Sequence, residues 1–195
     1  MQDMIAKSKS DPNTASYGSS GSNTGAGDIT VSSAIGMTGT PTSTPTLTLQ
    51  ADRNIIVNSS ITSTGGPVNI TLSAANNSAS SVGGISIAAN TTINSKGGNI
   101  LIGGAGGNNA NGQVVTNGIG YALNSDANKE AVSIGASATI KSGGGNITIN
   151  ESDGLVIDSV SARSGSIAIR TGGNTDVREI RNYADVAGQN IELRV

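Results

Sequence analysis

The sequence predicts an all-β protein, a right-handed parallel β-helix (β-solenoid), and two observations support this prediction. Ile, Val and Leu fall in short runs in which they alternate with small or polar residues, the period-two pattern of a strand that is buried on one side. One phrase also recurs: a corner containing Gly, then Asn, Asp or Ser, then two aliphatic residues separated by one other residue. A phrase that returns in the same order is typical of repeats that stack on their neighbours.

The spacing of this phrase predicts the coils of the solenoid. Its six copies begin at Gly27, Gly66, Gly98, Gly145, Gly165 and Gly188. The shortest interval between first aliphatic residues, from Ile147 to Ile167, is 20 residues, and longer intervals hold two coils or one coil and a loop. We expect about eight coils of roughly 20 residues, stacked about 4.8 Å apart. One inward ladder should then contain Ile29, Ile70, Ile100, Ile147, Ile167 and Ile191.

Other folds fit the sequence less well. Glycine is too frequent, at 28 residues, for long helices, and almost no segment places aliphatic residues at helical spacing. An antiparallel sandwich is the alternative all-β architecture. The return of the same corner in the same order favours the solenoid, because Gly and Asn supply the positive φ angles that tight corners need.

Composition and hydrophobic pattern divide the chain into three parts. Residues 1–26 are rich in Ser and Gly and have no alternating pattern, which predicts a flexible leader or junction. Residues 27–170 carry the solenoid repeats and include one long loop at 103–130. Residues 171–195 are dense in charge, which predicts a charged terminal coil or cap.

Composition excludes several kinds of chemistry. The chain has no His and no Cys, which excludes Ser-His-Asp catalysis, thiol nucleophiles, disulfides and metal ligation by either residue. A net charge of −2 without a basic stripe argues against nucleic-acid binding. No stretch approaches the ~18 apolar residues of a membrane span, so we expect no membrane insertion. The first residues, MQDMIAKSKSDPN, show no apolar core of a signal peptide.

Three runs resemble a known family. Residues 93–104 (INSKGGNILIGG), 138–149 (ATIKSGGGNITI) and 118–124 (GIGYALN) are similar to the shaft of bacterial filamentous-haemagglutinin-like exoproteins, large adhesins exported by two-partner secretion. The resemblance covers about residues 27–170. The Asn-Pro-Asn turns of that family's secretion-recognition domain are absent, and Asp11-Pro12-Asn13 is the nearest relative. The resemblance therefore implies a piece of the shaft.

The resemblance also implies a function and a location. The chain would be an extracellular structural or adhesive segment, secreted or held at the bacterial cell surface, and would serve as a rigid spacer. Its partners would be an outer-membrane transporter during export and a host-cell surface receptor or glycan, with no cofactor and no enzymatic activity. Two alternatives stay open: a β-helix protein that binds or cleaves polysaccharide, and a solenoid subunit that self-assembles into filaments.

Candidate contact residues lie in the long loop. Tyr121 is the one aromatic residue of that loop, and we expect contact with a glycan or receptor to involve Tyr121, Asn124, Asp126 and Lys129. Asn-x-Ser/Thr triplets supply hypothetical glycosylation sites, although a chain so rich in Asn, Ser and Thr also produces such triplets by chance. The five asparagines are Asn58, Asn69, Asn76, Asn90 and Asn146.

Two groups of polar residues have both a chemical and a plainer explanation. Glu151, Asp153 and Asp158 are close in sequence, like the paired acids of glycosidases, but no aromatic or basic partner accompanies them, which favours a solvated turn. Asn99 and Asn146 occupy the corners where calcium-binding solenoids carry Asp, so we expect corner residues or an Asn ladder and no metal site.

Small hydroxyl residues between paired aliphatics raise one more hypothesis. A flat Thr/Ser row could bind ice, but Leu101 and Ala168 interrupt it, and Thr also suits exposed strand positions in general. The row would comprise Thr30, Thr48, Thr71, Ser86, Ser133 and Thr148.

Overall fold

The structure, a computed structural model, describes nine segments of the chain. They are residues 4–8, 27–75, 83–104, 131–150, 154–157, 159–170, 174–177, 180–181 and 191–194. Side chains are described for 27–75, 83–104, 131–150 and 160–169. All regular elements of these segments are strands, because runs of alternating aliphatic and small polar residues leave one face to bury and one to solvate.

In the described segments, nineteen strands form three sheets, which we call A, B and C, and every neighbouring pair in them is parallel. Sheet A contains β1 (Met4–Ser8), β4 (Thr46–Ala51), β7 (Asn69–Ala74), β10 (Ile100–Gly104), β13 (Ile147–Asn150), β16 (Ile167–Arg170) and β19 (Ile191–Arg194). Sheet B contains β2 (Ile29–Val31), β5 (Ile55–Val57), β8 (Ile85–Ile87), β11 (Val132–Ile134), β14 (Gly154–Ile157) and β17 (Asn174–Val177). Sheet C contains β3 (Ile35–Met37), β6 (Ile61–Ser63), β9 (Thr92–Asn94), β12 (Thr139–Lys141), β15 (Ser159–Ser161) and β18 (Ile180–Arg181).

The chain visits sheets B, C and A in turn, so the fold is the parallel β-solenoid that the sequence predicts. The described strands form six coils, from β2–β4 to β17–β19, and β1 adds one strand beside the first coil in sheet A. Six coils is fewer than the eight expected, because the coils differ in length. Stacked residues are 20 positions apart between Asn146 and Ser166 but 47 apart between Asn99 and Asn146.

Inward aliphatic residues stack in register, and one member of the expected ladder was placed wrongly. The ladder of sheet A contains Leu47, Ile70, Ile100, Ile147, Ile167 and Ile191. Ile29 instead lies in sheet B, where it stacks on Ile55 and then on Ile85. The mistake arises because the same phrase, an Asx residue followed by aliphatic-x-aliphatic, opens strands of both sheets.

The three ladders fill the interior with branched aliphatic side chains. Ile55, Ile61, Ile70, Ile93 and others like them are fully buried. Burial of one such side chain contributes about 1.5–3 kcal/mol, and each coil repeats this contribution. Three aromatic residues in the whole chain show that this interior needs no large ring to fill it.

Glycine at the corner from sheet C to sheet A lets successive coils approach closely. A Cβ atom on Gly98 would overlap the carbonyl oxygen of Val68, one on Gly145 that of Gly98, and one on Gly165 that of Gly145. Every coil from the third to the fifth thus presents a Cα hydrogen to the backbone of the coil before it. No other residue fits here without moving the backbone.

The structure places strands in both of the regions that the sequence analysis separates from the repeats, 1–26 and 171–195. β1 lies within residues 1–26 and pairs with β4, although this stretch shows no alternating pattern. β17, β18 and β19 lie within 171–195 and stack on the fifth coil. The role of 171–195 as a cap stays a prediction.

Candidate functional site

Connections of very different length leave the solenoid at one corner, the one from sheet A to sheet B, which we call the A–B corner. Three residues, 52–54, join β4 to β5, and three, 151–153, join β13 to β14. Ten residues, 75–84, join β7 to β8, and 27 residues, 105–131, join β10 to β11. The corner from sheet B to sheet C never takes more than four. The corner from sheet C to sheet A takes five residues in coils two to five, eight in the first coil and nine in the sixth. The two longest connections therefore both lie at the A–B corner.

The longest connection does not interrupt the stack beneath it. Ile100 of β10 pairs with Ile147 of β13, and β8 pairs with β11, although residues 105–131 separate each pair in sequence. The four candidate contact residues, Tyr121, Asn124, Asp126 and Lys129, belong to this connection and lie outside the described residues. Topology places the connection at the A–B corner, in agreement with a loop carried by a rigid scaffold.

The three acidic residues weighed for catalysis are separated by a strand. Glu151 and Asp153 come before β14, and Asp158 comes after it. A strand of four residues spans about 13 Å, and the two ends of β14 belong to different corners. All three residues lie outside the described part of the chain.

A column of asparagines runs along the entrance to sheet A. The backbone N–H of Asn99 donates to Oδ1 of Asn69, that of Asn146 to Oδ1 of Asn99, and that of Ser166 to Oδ1 of Asn146. Each of these N···O distances is 2.9 Å. The prediction of an Asn ladder at Asn99 and Asn146 is confirmed, and each amide links one coil to the next.

A second, shorter column runs along the entrance to sheet B. The backbone N–H of Asn54 donates to Oδ1 of Asp28 at 3.0 Å, and that of Gly84 donates to Oδ1 of Asn54 at 2.9 Å. The column stops there, because Gly84 has no side chain and the next residue in register is Ala131, which precedes Val132. Sequence reasoning missed this column because Asn54 follows no Gly corner.

Asp28 begins the second column with a charge. Arg53 donates through Nε to Oδ1 of Asp28 at 2.8 Å and through Nη2 to Oδ2 at 2.7 Å, a bidentate pair. Burial raises the pKa of Asp28, but hydrogen bonds from Arg53 and from the backbone of Asn54 lower it by more, so the pKa lies below its ordinary value. The hydrogen bond to Asp28 raises the pKa of Arg53.

Three buried serines form a hydroxyl column at the corner from sheet C to sheet A. Ser63 donates to the carbonyl oxygen of Gly66, Ser95 to that of Gly98 and Ser142 to that of Gly145. Each hydroxyl also lies within 3.3 Å of a carbonyl oxygen in an adjacent coil, that of Met37, Ser142 or Ala162 respectively. These buried hydroxyls stabilise the corner, and their accessibility to an external substrate is close to zero.

The structure sorts the five hypothetical glycosylation sites. Asn58 and Asn90 are exposed on the corner from sheet B to sheet C, in adjacent coils. Asn69 and Asn146 use their amide oxygens in the sheet A column. Asn76 lies outside the described residues. Because transfer of a sugar alters the side-chain amide, Asn58 and Asn90 are the sites that a modification would disturb least.

The Thr/Ser row weighed for ice binding is split between two sheets. Thr48 and Thr71 stack with Leu101 and Thr148 in sheet A, whereas Thr30 belongs to sheet B. In sheet B, Thr30 stacks on Ile56, which is followed by Ser86 and Ser133. Thr148 is also only 1 % exposed. These six residues therefore do not form the single flat row that the ice-binding hypothesis needs.

Charged side chains are unevenly distributed over the described surface. Lys96, Lys141 and Arg163 are exposed on sheet C or on the corner that follows it. The two acidic side chains described, Asp28 and Asp52, lie next to strands of sheet B. In the described segments, no group of three or more Asp or Glu residues is arranged to hold a metal ion. The same segments contain no helix of the length and apolar character needed to cross a membrane.

These features define a class of protein, a parallel β-solenoid with hydrogen-bonded polar columns and its two longest connections at one corner. No protein-family model, curated protein or solved structure matches the chain.

Proposed function

We propose that the chain is a rigid structural and adhesive segment of a bacterial surface adhesin of the filamentous-haemagglutinin type. It acts as a spacer, and the long loop expected at 103–130, which the structure bounds at 105–131 because Gly103 and Gly104 end β10, contacts a host-cell receptor or glycan. The proposal includes secretion through an outer-membrane transporter and display at the cell surface, and it includes no catalytic step, cofactor, nucleic acid or membrane insertion.

The observation that supports this proposal most strongly is the uninterrupted stack beneath the longest connection. β10 and β13 keep their register across residues 105–131, so the coil tolerates a large insertion without a change in the rod. A spacer that carries contact residues needs this combination of a regular core and one permissive corner.

Chemistry of the core agrees with export before folding. A chain with no Cys needs no disulfide formation after crossing a membrane, and stacked coils fold through contacts between neighbours. Each coil adds its own Ile ladder positions and Asn or Ser hydrogen bonds to the coil before it.

The test replaces residues 105–130 by Asp-Arg, the two residues found at 52–53. Gly104 and Ala51 occupy equivalent positions in sheet A, so the shortened connection has the same three-residue length as the first A–B corner. The variant and the parent chain are compared on a glycan array and on cultured epithelial cells, with circular dichroism as the control for folding. Saturable binding by the parent chain that disappears in a folded variant supports the contact role.

Two outcomes count against the proposal. If the parent chain and the variant bind equally well, the contact lies elsewhere on the rod. If neither binds while both give a β-rich spectrum, the segment is a spacer without adhesive contact of its own.

A further inference from the structure

The outer face of sheet A changes in composition along the stack. Successive residues of a strand point to opposite faces, so the residues that alternate with the inward ladder face outward. At one level of sheet A these outward residues are, in stacking order, Thr48, Thr71, Leu101, Thr148 and Ala168. The threonine of the first two coils is thus replaced by leucine in the third coil and by alanine in the fifth.

Thr148 is buried although it faces outward. Its exposed fraction is 1 %, whereas Thr71, at the same level two coils earlier, is half-buried. Both residues stack on Leu101, one on each side. The second neighbour is Thr48 for Thr71 and the smaller Ala168 for Thr148. The stacked neighbours alone would leave Thr148 the more exposed of the two, so further atoms must lie above it on the outer side of the sheet.

The buried area continues along the same two strands. Asn150 faces outward two residues after Thr148 and is 0 % exposed. Gly103 faces outward two residues after Leu101 and is also buried, whereas Ser73, which stacks on it from β7, is half-buried. Within the described part of sheet A, the buried outward residues therefore lie on β10 and β13. Thr148 and Asn150 both take part in polar interactions, as buried polar side chains require.

The connection from β10 to β11, residues 105–131, is the segment best placed to lie above these strands. It leaves β10 beside β13, and the first A–B corner makes the same step from sheet A to sheet B with three residues. Most of the 27 residues are therefore not needed to reach sheet B. Residues 151–153, which leave β13, extend about 10 Å and must reach β14. Residues 75–84 leave β7, whose outward residues are only half-buried.

The sequence of this connection matches the outer face in polarity. Its middle part contains Val114, Val115 and Ile119, which we call the aliphatic group. Leu101 is the one large aliphatic side chain at the outward level of sheet A described above. Contact between the aliphatic group and Leu101 would remove apolar surface of both from water, which favours association.

We propose that residues 105–130 pack on the outer face of sheet A above β10 and β13, with the aliphatic group against Leu101 and Thr148. The connection then forms a second layer beside the rod, held by the coils that it joins. One consequence rests on the proposed function: a receptor or glycan that binds this connection approaches the rod from the side of sheet A. The packing itself does not depend on that function.

A single introduced thiol is a specific probe of this face, because the chain contains no Cys. Thr148→Cys places the thiol at the buried outward position, and Thr71→Cys, at the same level two coils earlier, is the matched control. Asn150→Cys is a second probe of the buried area. Each variant is reacted with a maleimide and followed by intact mass, and circular dichroism with thermal unfolding establishes that it is folded.

We expect the thiol of Thr148→Cys to react at least about tenfold more slowly than that of Thr71→Cys, because it becomes accessible only when the packed segment opens. Replacement of residues 105–130 by Asp-Arg should bring the two rates to within about twofold of each other. This replacement removes the proposed occupant and leaves the residues of sheet A unchanged.

A variant of unchanged length tests the aliphatic group. Combined Val114→Ser, Val115→Ser and Ile119→Ser should speed the reaction of Thr148→Cys at least about fivefold and leave that of Thr71→Cys unchanged. The control combines Asn108→Ser, Asn109→Ser and Asn111→Ser, three polar positions of the same connection, and should leave the thiol of Thr148→Cys protected. This comparison also decides the matter alone if the Asp-Arg replacement does not fold.

Three results overturn the proposal. Equal rates for Thr148→Cys, Asn150→Cys and Thr71→Cys in the chain of full length would show that no segment lies above this face. Protection that persists in a folded Asp-Arg replacement would assign the burial to another segment, and protection that persists without the aliphatic group would exclude its contact with the sheet. No glycan or cell is present in these reactions, so failure of the packing is distinguished from failure of host contact.

Discussion

Two corners of the same coil follow opposite rules. At the corner from sheet C to sheet A, which we call the C–A corner, coils two to five use five residues each, 64–68, 95–99, 142–146 and 162–166, whereas the first and sixth coils use eight and nine, 38–45 and 182–190. At the A–B corner the connections vary from three to 27 residues. The sheet A column joins four coils, from Asn69 to Ser166, whereas the sheet B column joins three and ends at Gly84, which has no side chain to accept the next N–H.

The difference shows what a polar column requires. A side-chain amide reaches the backbone N–H of the next coil only if both residues occupy the same place in the winding. Connections of equal length secure this at the C–A corner of coils two to five, but a longer connection can return to the same place, since Gly84 ends a connection of ten residues and still donates to Asn54, which ends one of three. The hydroxyl of Ser95 or Ser142 adds a second bond at the same corner. An insertion at the C–A corner would displace these groups, whereas an insertion at the A–B corner displaces only the chain that leaves the rod.

The largest expected effect comes from an insertion at each corner. One Gly inserted between Gly143 and Gly144 should lower the free energy of unfolding by about 3 kcal/mol or more, because it separates Ser142 from Gly145 and Asn146 from Asn99. One Gly inserted between residues 106 and 107 should cost less than about 0.5 kcal/mol, since loop-closure entropy changes slowly with length. Urea unfolding measures both, and equal losses would contradict the distinction between the corners.

A single methyl group should reveal the close approach at the C–A corner. Gly145→Ala places a Cβ against the carbonyl oxygen of Gly98, which forces a backbone shift and should cost about 2–4 kcal/mol. Gly36→Ala is the matched control, because its Cβ meets no atom within 4 Å and should change stability by less than about 0.5 kcal/mol. Similar midpoints of denaturant unfolding for both variants would show that the coils separate freely at this corner.

Removal of one amide should cost less than the methyl group. Asn99→Ala leaves the N–H of Asn146 without its acceptor and should lower the free energy of unfolding by about 1–2 kcal/mol. Asn99→Asp keeps an oxygen there, as Asp28 does for Asn54, and should recover most of the loss. Hydrogen exchange at the Asn146 amide provides the direct readout, and unchanged protection in Asn99→Ala would contradict a role for the column.

The smallest effect is expected at the charged start of the sheet B column. The folded pKa of Asp28 lies below its ordinary value, so its ion pair stabilises the protein above about pH 4 and is lost as the pH falls through the folded pKa. Because 47 % of the Arg53 side chain is exposed, solvent screens the pair, and Asp28→Asn should cost less than about 1 kcal/mol near pH 7.

The pH dependence is the readout that isolates this charge. Asp28→Asn retains an oxygen for the N–H of Asn54, so the difference in stability from the parent chain should vanish at acid pH. A constant difference between pH 7 and pH 3 would assign the effect to the hydrogen bond and not to the charge.

Much of the architecture could be predicted from the sequence, as the corner at Asn99 and Asn146 illustrates. Alternation of Ile with Thr or Ala marks the strands, and Gly followed by Asn marks the corners, because both patterns report local backbone requirements. The candidate contact residues were predicted from their place in the longest interruption, and their role stays a prediction.

Other features could not be predicted because they depend on which coil stacks on which. Ile29 and Ile70 follow the same phrase, yet they belong to different sheets, since only the winding path distinguishes them. The position of Asn54 above Asp28 follows from the same path. β1 shows no alternating pattern, and only the three-dimensional structure shows that it pairs with β4.

The sequence by itself determined the class of fold, the material of the core and the absence of His and Cys chemistry, because composition and alternation act within a few residues. Only the tertiary structure decided the number of coils, the membership of each ladder and the corner from which insertions emerge. Those features depend on the summed length of all connections in one turn of the solenoid. Residues 20 to 47 positions apart come into register only when successive coils stack on one another.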